Sequence, residues 1–317
     1  MKIVTIGELL VDLTQTGEIN NIPQYAAHPG GAPANVAVAA SLMGSNTAFI
    51  GKVGADSFGE MLADTLKNKN VDIDSIIVSS DFNTTLAVVS HDEKGERSFS
   101  FYRKNCADVN LREDELPVQV IESADIFHFG SVSLTDEPCK SAIKSAVELA
   151  KSHGSIITYD PNYRHLLWDD EDAAKEAMKE LLPLVDIIKV SEEELYLLTD
   201  TESIPDGADK LLNEGISIVI VTLGENGAFY KTPFSQGKSD AFTGKVADTN
   251  GAGDTFFGAF LSQIDDFESF VHNKNSVLCD AVRFACAAAG LSVCKSGAIP
   301  SMPTKQETEA FIASCSK

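Results

Sequence analysis

The stretch Asp248-Thr249-Asn250-Gly251-Ala252-Gly253-Asp254-Thr255-Phe256 gathers residue types that chemistry can use. Gly251 and Gly253 leave the backbone unhindered, an acid follows at once, and the apolar run Phe256-Phe257-Gly258-Ala259-Phe260-Leu261 can continue as a buried helix. A bare loop opening a helix presents unpaired N–H groups at a positive dipole end, a ready place for an anion. An acid at that point would repel the anion unless it serves the reaction. The amides of Gly251, Ala252 and Gly253 would hold a phosphoryl group in flight while Asp254 takes a proton from the attacking hydroxyl. Phosphoryl transfer needs that pairing of charge stabilisation and an oriented nucleophile. The same residues also suit a plain helix N-terminus with Asp254 opposing its dipole, and the stretch alone leaves both readings open.

A second glycine-rich opening lies near the start, in His28-Pro29-Gly30-Gly31-Ala32-Pro33-Ala34-Asn35. Pro33 in a first turn and Gly44 just past Met43 mark the ends of a helix, and the double glycine is another place where backbone can approach a ligand. Familiar nucleotide motifs are absent. Gly51-Lys52-Val53 lacks the spacing and the Ser/Thr of a phosphate-binding P-loop, and Phe256 occupies the third glycine position of a dinucleotide fingerprint. Neither HExxH nor Gly-x-Ser-x-Gly occurs.

The elements that must position these residues alternate. Lys2 to Leu10 reads as one central parallel strand whose end delivers Asp12, and residues 13–28 then lose the pattern. Strands are expected at Thr47–Val53, Val71–Val78, Ile126–Gly130, Ile156–Tyr159, Ile187–Val190 and Ile218–Thr222. Between and after them helices are expected: one opened by a Ser57–Glu60 capping box, then Pro138–His153, Asp172–Leu182, Asp206–Glu214, Asn275–Val293 and Thr304–Ser314. Leu86–His91 and Arg97–Tyr102, joined by a turn at 92–96, read as a hairpin that interrupts the rhythm as a lid or a dimer edge. Alternation of this kind predicts an α/β domain with a doubly wound, mostly parallel sheet and helices on both faces. No internal repeat or linker divides the 317 residues, so one domain is expected.

Composition excludes several classes. A net charge of −22 argues against nucleic acid and anionic membranes, and it requires that the basic residues near a phosphate be placed deliberately or that a metal assist. No apolar run reaches spanning length, and Met1–Ile6 reads as a strand, not a signal peptide. The six cysteines have no metal-like spacing and several sit among apolar residues, as in a reduced cytoplasmic protein with buried thiols.

Pro29 to Ala37 and Asp248 to Phe256, in this order and separation, resemble the two signatures of the ribokinase (PfkB) family of carbohydrate kinases, and the resemblance covers essentially the whole chain. Within that family the chain is most similar to the bacterial and plant fructokinases, through Phe101-Tyr102-Arg103 with Ala107-Asp108, Asp160 to Arg164 with Trp168, and Lys189 to Leu195. The resemblance implies a ribokinase-like fold with a small β lid from inserts at about 13–28 and 84–104. It implies ATP-dependent phosphorylation of a primary hydroxyl of fructose, with Asp254 as the base and Gly251, Ala252 and Gly253 as the anion hole. Asp12, Gly30, Gly31 and Asn35 match sugar-binding positions, and carboxylates and amides suit hydroxyls. Arg103 resembles a lid residue that reaches the substrate, and Arg164 one near the sugar or the transferred phosphate. Both could instead be surface ion pairs, but with so acidic a chain at least one is expected to face the site.

Lys189, Ser191, Thr222, Gly224 and Gly227 match the nucleotide side, although the glycines also suit a tight turn. Glu194 resembles the acid that organises Mg²⁺ through water, with Ser191 where Asn is common; an acidic first turn is the competing reading of Glu192–Glu194. Asp248, Asn250 and Ser301, with carbonyls around Gly297, match a monovalent-cation (K⁺) site from which Asn250 departs. Adenine is expected near 295–303 and the 221–227 turn. The implied partners are a small sugar and ATP, with a homodimer through the lid strands. The alternatives are a 2-keto-3-deoxygluconate kinase, a riboside kinase, or a non-catalytic sugar- or nucleotide-binding regulator; the last would be marked by loss of Asp254 or the glycines, all of which are present.

Overall fold

The structure, a computed structural model, describes residues 1–91, 97–242 and 244–315, so the turn expected at 92–96 lies outside it. Unbroken apolar runs set its centre. β1 (Lys2–Ile6) opens the main sheet, and β2 (Leu10–Ile19) and β3 (Ile22–Gly30) leave it as a hairpin. The Ala32–Leu42 helix returns the chain to β4 (Asn46–Gly54), and the Ser57–Asn68 helix leads to the short β5 (Val71–Asp72) and β6 (Ile76–Ser79). β7 (Leu86–His91) and β8 (Arg97–Tyr102) leave again. β9 (Ile126–Gly130), β10 (Ile156–Asp160), β11 (Ile187–Ser191) and β12 (Ile218–Thr222) alternate with helices, and β13 (Ala228–Lys231) and β14 (Gln236–Ser239) complete the edge.

Among the described residues the main sheet runs β14-β13-β12-β11-β10-β9-β1-β4-β5, with β6 also on β4. It is parallel except at β12–β13 and β13–β14. Strand residues alternate between two cores, as a sheet covered on both faces requires. Val4, Phe127, Ile188 and Val219 enter one core with the Cys139–Ser152 helix. Ile3, Ile126, Ile187 and Ile218 enter the other with the Ala252–Leu261 and Val277–Ser292 helices.

Where the structure departs from the sequence reading, the reason is local. The expected strand over Lys2–Leu10 stops at Ile6, because Gly7 adopts φ +151° and the chain turns out of the sheet. Asp12 therefore lies on β2, in a second sheet of order β3-β2-β7-β8, and the patternless residues 13–28 form most of its hairpin. Exposure on both sides over Thr16–Pro23 removed the alternation that would have revealed them. The capping box expected at Ser57 is displaced by Asp56, whose Oδ1 accepts from the N–H groups of Phe58 and Gly59. Val71–Val78 divides into β5 and β6.

Two helices carry the glycine-rich stretches and lie side by side. A Cβ added at Gly258 would stand 2.6 Å from both Val36 O and Ala39 Cβ, so the glycine sets the distance of approach. That packing brings Asn35 and Asp254 together across 219 residues of chain.

Candidate active site

The site forms at the C-terminal ends of β1, β9, β10 and β11, where an open parallel sheet offers a crevice. Gly251 is the N-cap of the Ala252–Leu261 helix with φ +74°, and a Cβ there would lie 2.6 Å from Ala298 Cβ. The N–H groups of Gly253 and Asp254 follow in the first turn, where an α-helix offers no carbonyl of its own. Thr255 N, by contrast, donates to Gly251 O at 2.8 Å.

Asp254 is 7% exposed. Asn35 Nδ2 donates to its Oδ2 at 2.8 Å and Asn162 Nδ2 to its Oδ1 at 3.2 Å. Burial, reinforced by the nearby Asp160 carboxylate, pushes its pKa up to about 6, against the pull of Asn35, Lys189 and Arg164. Because its amide nitrogen faces Asp254, Asn35 turns Oδ1 the other way, and that buried oxygen has no hydrogen-bond partner. An orphaned buried acceptor costs about 1–3 kcal/mol, so this one is suited to a hydroxyl that arrives with a ligand.

Asp12 faces the same space from β2. A Cβ on Gly30 would lie 2.5 Å from Asp12 Oδ2, so the glycine makes room for the carboxylate. Burial raises the Asp12 pKa, opposed by a hydrogen bond from the Asn250 side chain and by the charges of Arg164 and His28. Gly31 adopts φ +110° with its Cβ position 2.3 Å from Glu8 O. Glu8, unremarked in the sequence, fixes this turn: its carboxylate accepts from Ala32 N at 3.0 Å and Ser133 Oγ at 2.8 Å.

The two arginines part company. Arg164 is exposed, donates to the carbonyls of Asn162 and Tyr163, and acts on both Asp12 and Asp254. Arg103 is not a free arm of the second sheet. It is 4% exposed and pairs through Nε with Asp108 Oδ2 at 2.7 Å, while its NH1 meets Thr135 Oγ1 at 2.5 Å and lies 3.8 Å from Asp136. Only its NH2 lacks a partner.

On the nucleotide side, Lys189 Nζ binds Asp160 Oδ2 at 2.7 Å, with both residues buried. Burial works against its charge, but Asp160, Glu194 and Asp254 together raise the Lys189 pKa. Ser191 and Glu194 do form a capping box, and Glu194 also accepts from Tyr163 N at 2.7 Å. The acidic-first-turn reading of Glu194 is thus realised, with both carboxylate oxygens on backbone amides. Thr222 Oγ1 donates to Val190 O at 3.3 Å. Gly227 is fixed by the turn, since its Cβ position is 2.0 Å from Ser239 O, whereas Gly224 has open space beside it.

Asp248 ties two loops, accepting from Asn250 N and Gly297 N at 3.0 Å each. Ser301 Oγ donates to Ala298 O at 2.7 Å. Asn250 turns its side chain to Asp12. Sequence reasoning also missed the site roles of Asn162 and Asp160; the signal was present in the polar Asp160-Pro161-Asn162 that ends β10.

A buried carboxylate between two amides, at a glycine-capped helix start on the carboxyl edge of a parallel sheet, defines a phosphotransferase site for an alcohol acceptor. The profile of the pfkB family carbohydrate kinases matches residues 1–305, and the chain belongs to that family. It is 42% identical over 314 residues to a probable fructokinase-2 of Arabidopsis thaliana, covering 98% of this chain and 95% of that one. A fructokinase of Xylella fastidiosa with bound ATP superposes with a TM-score of 0.92 at 31% identity, covering 100% of this chain and 99% of that chain. A fructokinase double mutant of Vibrio cholerae O395, bound to fructose, ADP and potassium ion, gives 0.87 at 34% identity, covering 98% and 97%. No helix among the described residues is long and apolar enough to cross a membrane.

Proposed function

We propose that the chain is an ATP-dependent fructokinase in which Asp254 deprotonates a primary hydroxyl of the sugar. The carrying observation is the Asp254 carboxylate held by Asn35 and Asn162 beside first-turn amides, with Asn35 Oδ1 left over for a hydroxyl. Asp12, Gly30, Gly31 and Asn35 hold the sugar, and Asp254 directs one hydroxyl at the γ-phosphate. The amides of Gly251, Ala252 and Gly253, with Lys189 beneath them and Arg164 beside them, offset the charge that spreads over the transferring group. Among the described residues no cluster of three His, Cys, Asp or Glu could hold a metal alone, which fits an ion that enters on the nucleotide. Glu194 would hold, through water, the Mg²⁺ that accompanies ATP, and that ion would supply further charge neutralisation. Ser191, Thr222, Gly224 and Gly227 line the nucleotide side, and adenine lies by 295–303.

Fructose is favoured because the relatives that match over nearly the whole chain carry fructokinase names. The second sheet serves as a lid that excludes water and limits ATP hydrolysis. It exposes Ile19, Ile22, Tyr25 and Tyr102, which fit a homodimer contact. K⁺, an ion bound by the Vibrio relative, is assigned here to the loops joined by Asp248, with Asn250 and Ser301. All six cysteines are free, in keeping with the cytoplasm.

ADP release from Mg·ATP is measured against fructose, 2-keto-3-deoxygluconate, ribose, glucose and aminoimidazole riboside, with and without K⁺. Turnover on fructose alone is expected. Turnover on another sugar overturns the substrate, and silence with ligand still bound overturns the kinase in favour of a regulator. Light scattering of the wild type against Tyr102→Glu tests the dimer.

A further inference from the structure

We propose that Asn162 is a positioning residue of the transfer, fixing the Asp254 carboxylate opposite Asn35 from a turn anchored on the Asp160–Lys189 pair. The inference rests on the reading of Asp254 as the base.

The turn is built for that task. Asn162 sits at φ +47°, in the left-handed region that asparagine tolerates better than most residues. Its backbone N–H donates to Asp160 Oδ1 at 3.1 Å, so Asp160 holds the turn with one oxygen and Lys189 with the other. The next residue is pinned as well, since Tyr163 N donates to Glu194. These contacts would satisfy a structural turn. What a structural turn does not need is the side-chain amide reaching Asp254, 92 residues away on another element.

The consequence is geometric. A carboxylate with one amide on each oxygen cannot rotate about its Cβ–Cγ bond without breaking a hydrogen bond. Each oxygen keeps a lone pair for other use, and the plane that meets the acceptor hydroxyl is set before the sugar binds. Such preorganisation acts on turnover and leaves sugar affinity nearly untouched, because the amide works through the base. The other groups acting on Asp254 are Asp160, Lys189, Arg164 and the Asn35 amide; none donates to Oδ1.

The test uses Asn162→Gly, which accepts positive φ and removes only the side chain, and Asn162→Asp, which keeps the shape but replaces a donor with a like charge. For Asn162→Gly, kcat is expected to fall about 10- to 100-fold with the fructose KM within about threefold of wild type. For Asn162→Asp, the acid limb of kcat is expected to move to higher pH, because a second carboxylate disfavours ionisation of Asp254. Asn162→Gly with kcat within twofold of wild type, or a loss confined to KM, overturns the proposal. So does an unmoved acid limb in Asn162→Asp. An Asp254→Ala variant run alongside separates the two ideas. If it is inactive while Asn162→Gly is not, only the positioning role fails; if it turns over normally, the base assignment fails first.

Discussion

Lys189 Nζ lies 2.7 Å from Asp160 Oδ2, and a Cβ placed on Gly253 would stand 2.9 Å from that same nitrogen. The buried ammonium therefore supports the turn proposed to meet the phosphoryl group, and the missing side chain at position 253 is what lets it stand there. A lysine end can shift, so Gly253→Ala should fold with stability within about 1 kcal/mol of wild type. Its turnover should fall at least about tenfold, because the ammonium is displaced from the turn. Gly31→Ala is the contrast. Its Cβ would meet the rigid backbone oxygen of Glu8 at 2.3 Å with φ at +110°, so a stability loss of about 2 kcal/mol or more is expected. Denaturant unfolding beside steady-state rates separates the two, and equal stability losses would refute the distinction.

The raised Asp254 pKa gives a pH dependence with a definite sign. A base must be ionised, so kcat should fall as pH drops through about 6, the value to which burial pushes Asp254. Stability runs the other way. A carboxyl with a higher pKa folded than unfolded favours the folded state at low pH and loses that contribution as pH rises through the folded value. Asp254→Asn should therefore gain on the wild type by about 1–2 kcal/mol between pH 5 and 7.5. A gap that stays flat over that range would contradict the assigned pKa.

What the sequence makes legible is where unusual residue types come together. The two glycine-rich stretches, Asp254 and Asn35 were legible because bare backbone followed by an acid or an amide is costly to keep without use. The parallel strands were legible from apolar runs such as Ile218–Val221, buried on both faces. Asp12 lies on the second sheet and not at the end of the central strand, since Gly7 turns the chain within an unbroken apolar run. Asn162 goes unassigned because its side chain meets a neighbour 92 residues away, and the burial of Arg103, expected as a lid residue, is hidden because its acid partners become visible only in three dimensions.

Asn250 joins two regions that the sequence treated separately. Its backbone N–H is held by Asp248 and its side chain acts on Asp12, so the loop that carries the proposed anion turn meets the proposed sugar-side carboxylate. Asn250→Thr keeps the first contact and shortens the second. The fructose KM should rise about 5- to 20-fold with kcat changed less, as one charge-assisted hydrogen bond is lost. The effect should grow below neutral pH, because the Asn250 hydrogen bond opposes the burial that raises the Asp12 pKa. KM profiles from pH 5.5 to 8 would show it, and parallel profiles for the two proteins would sink it.

The Arg103–Asp108 pair should weigh on stability as much as on binding. Both residues are buried, and Asp108 also accepts from Thr85 Oγ1, so the pair ties the residue that precedes β7 to the segment after β8. Removing one partner strands a charge in a low-dielectric site, which typically costs about 3–5 kcal/mol. Asp108→Ala should therefore unfold at markedly lower denaturant, whereas Asp114→Ala, which breaks the solvent-screened pair with Arg112, should leave the unfolding midpoint nearly unchanged. The double variant Arg103→Leu/Asp108→Leu removes both charges together and should recover part of the loss. Its fructose KM should stay high even so, because the unpaired NH2 of Arg103 goes with the pair. If the double variant instead matches the wild type in KM, Arg103 belongs to the scaffold alone and the sugar is read by Asp12, Asn35 and Arg164.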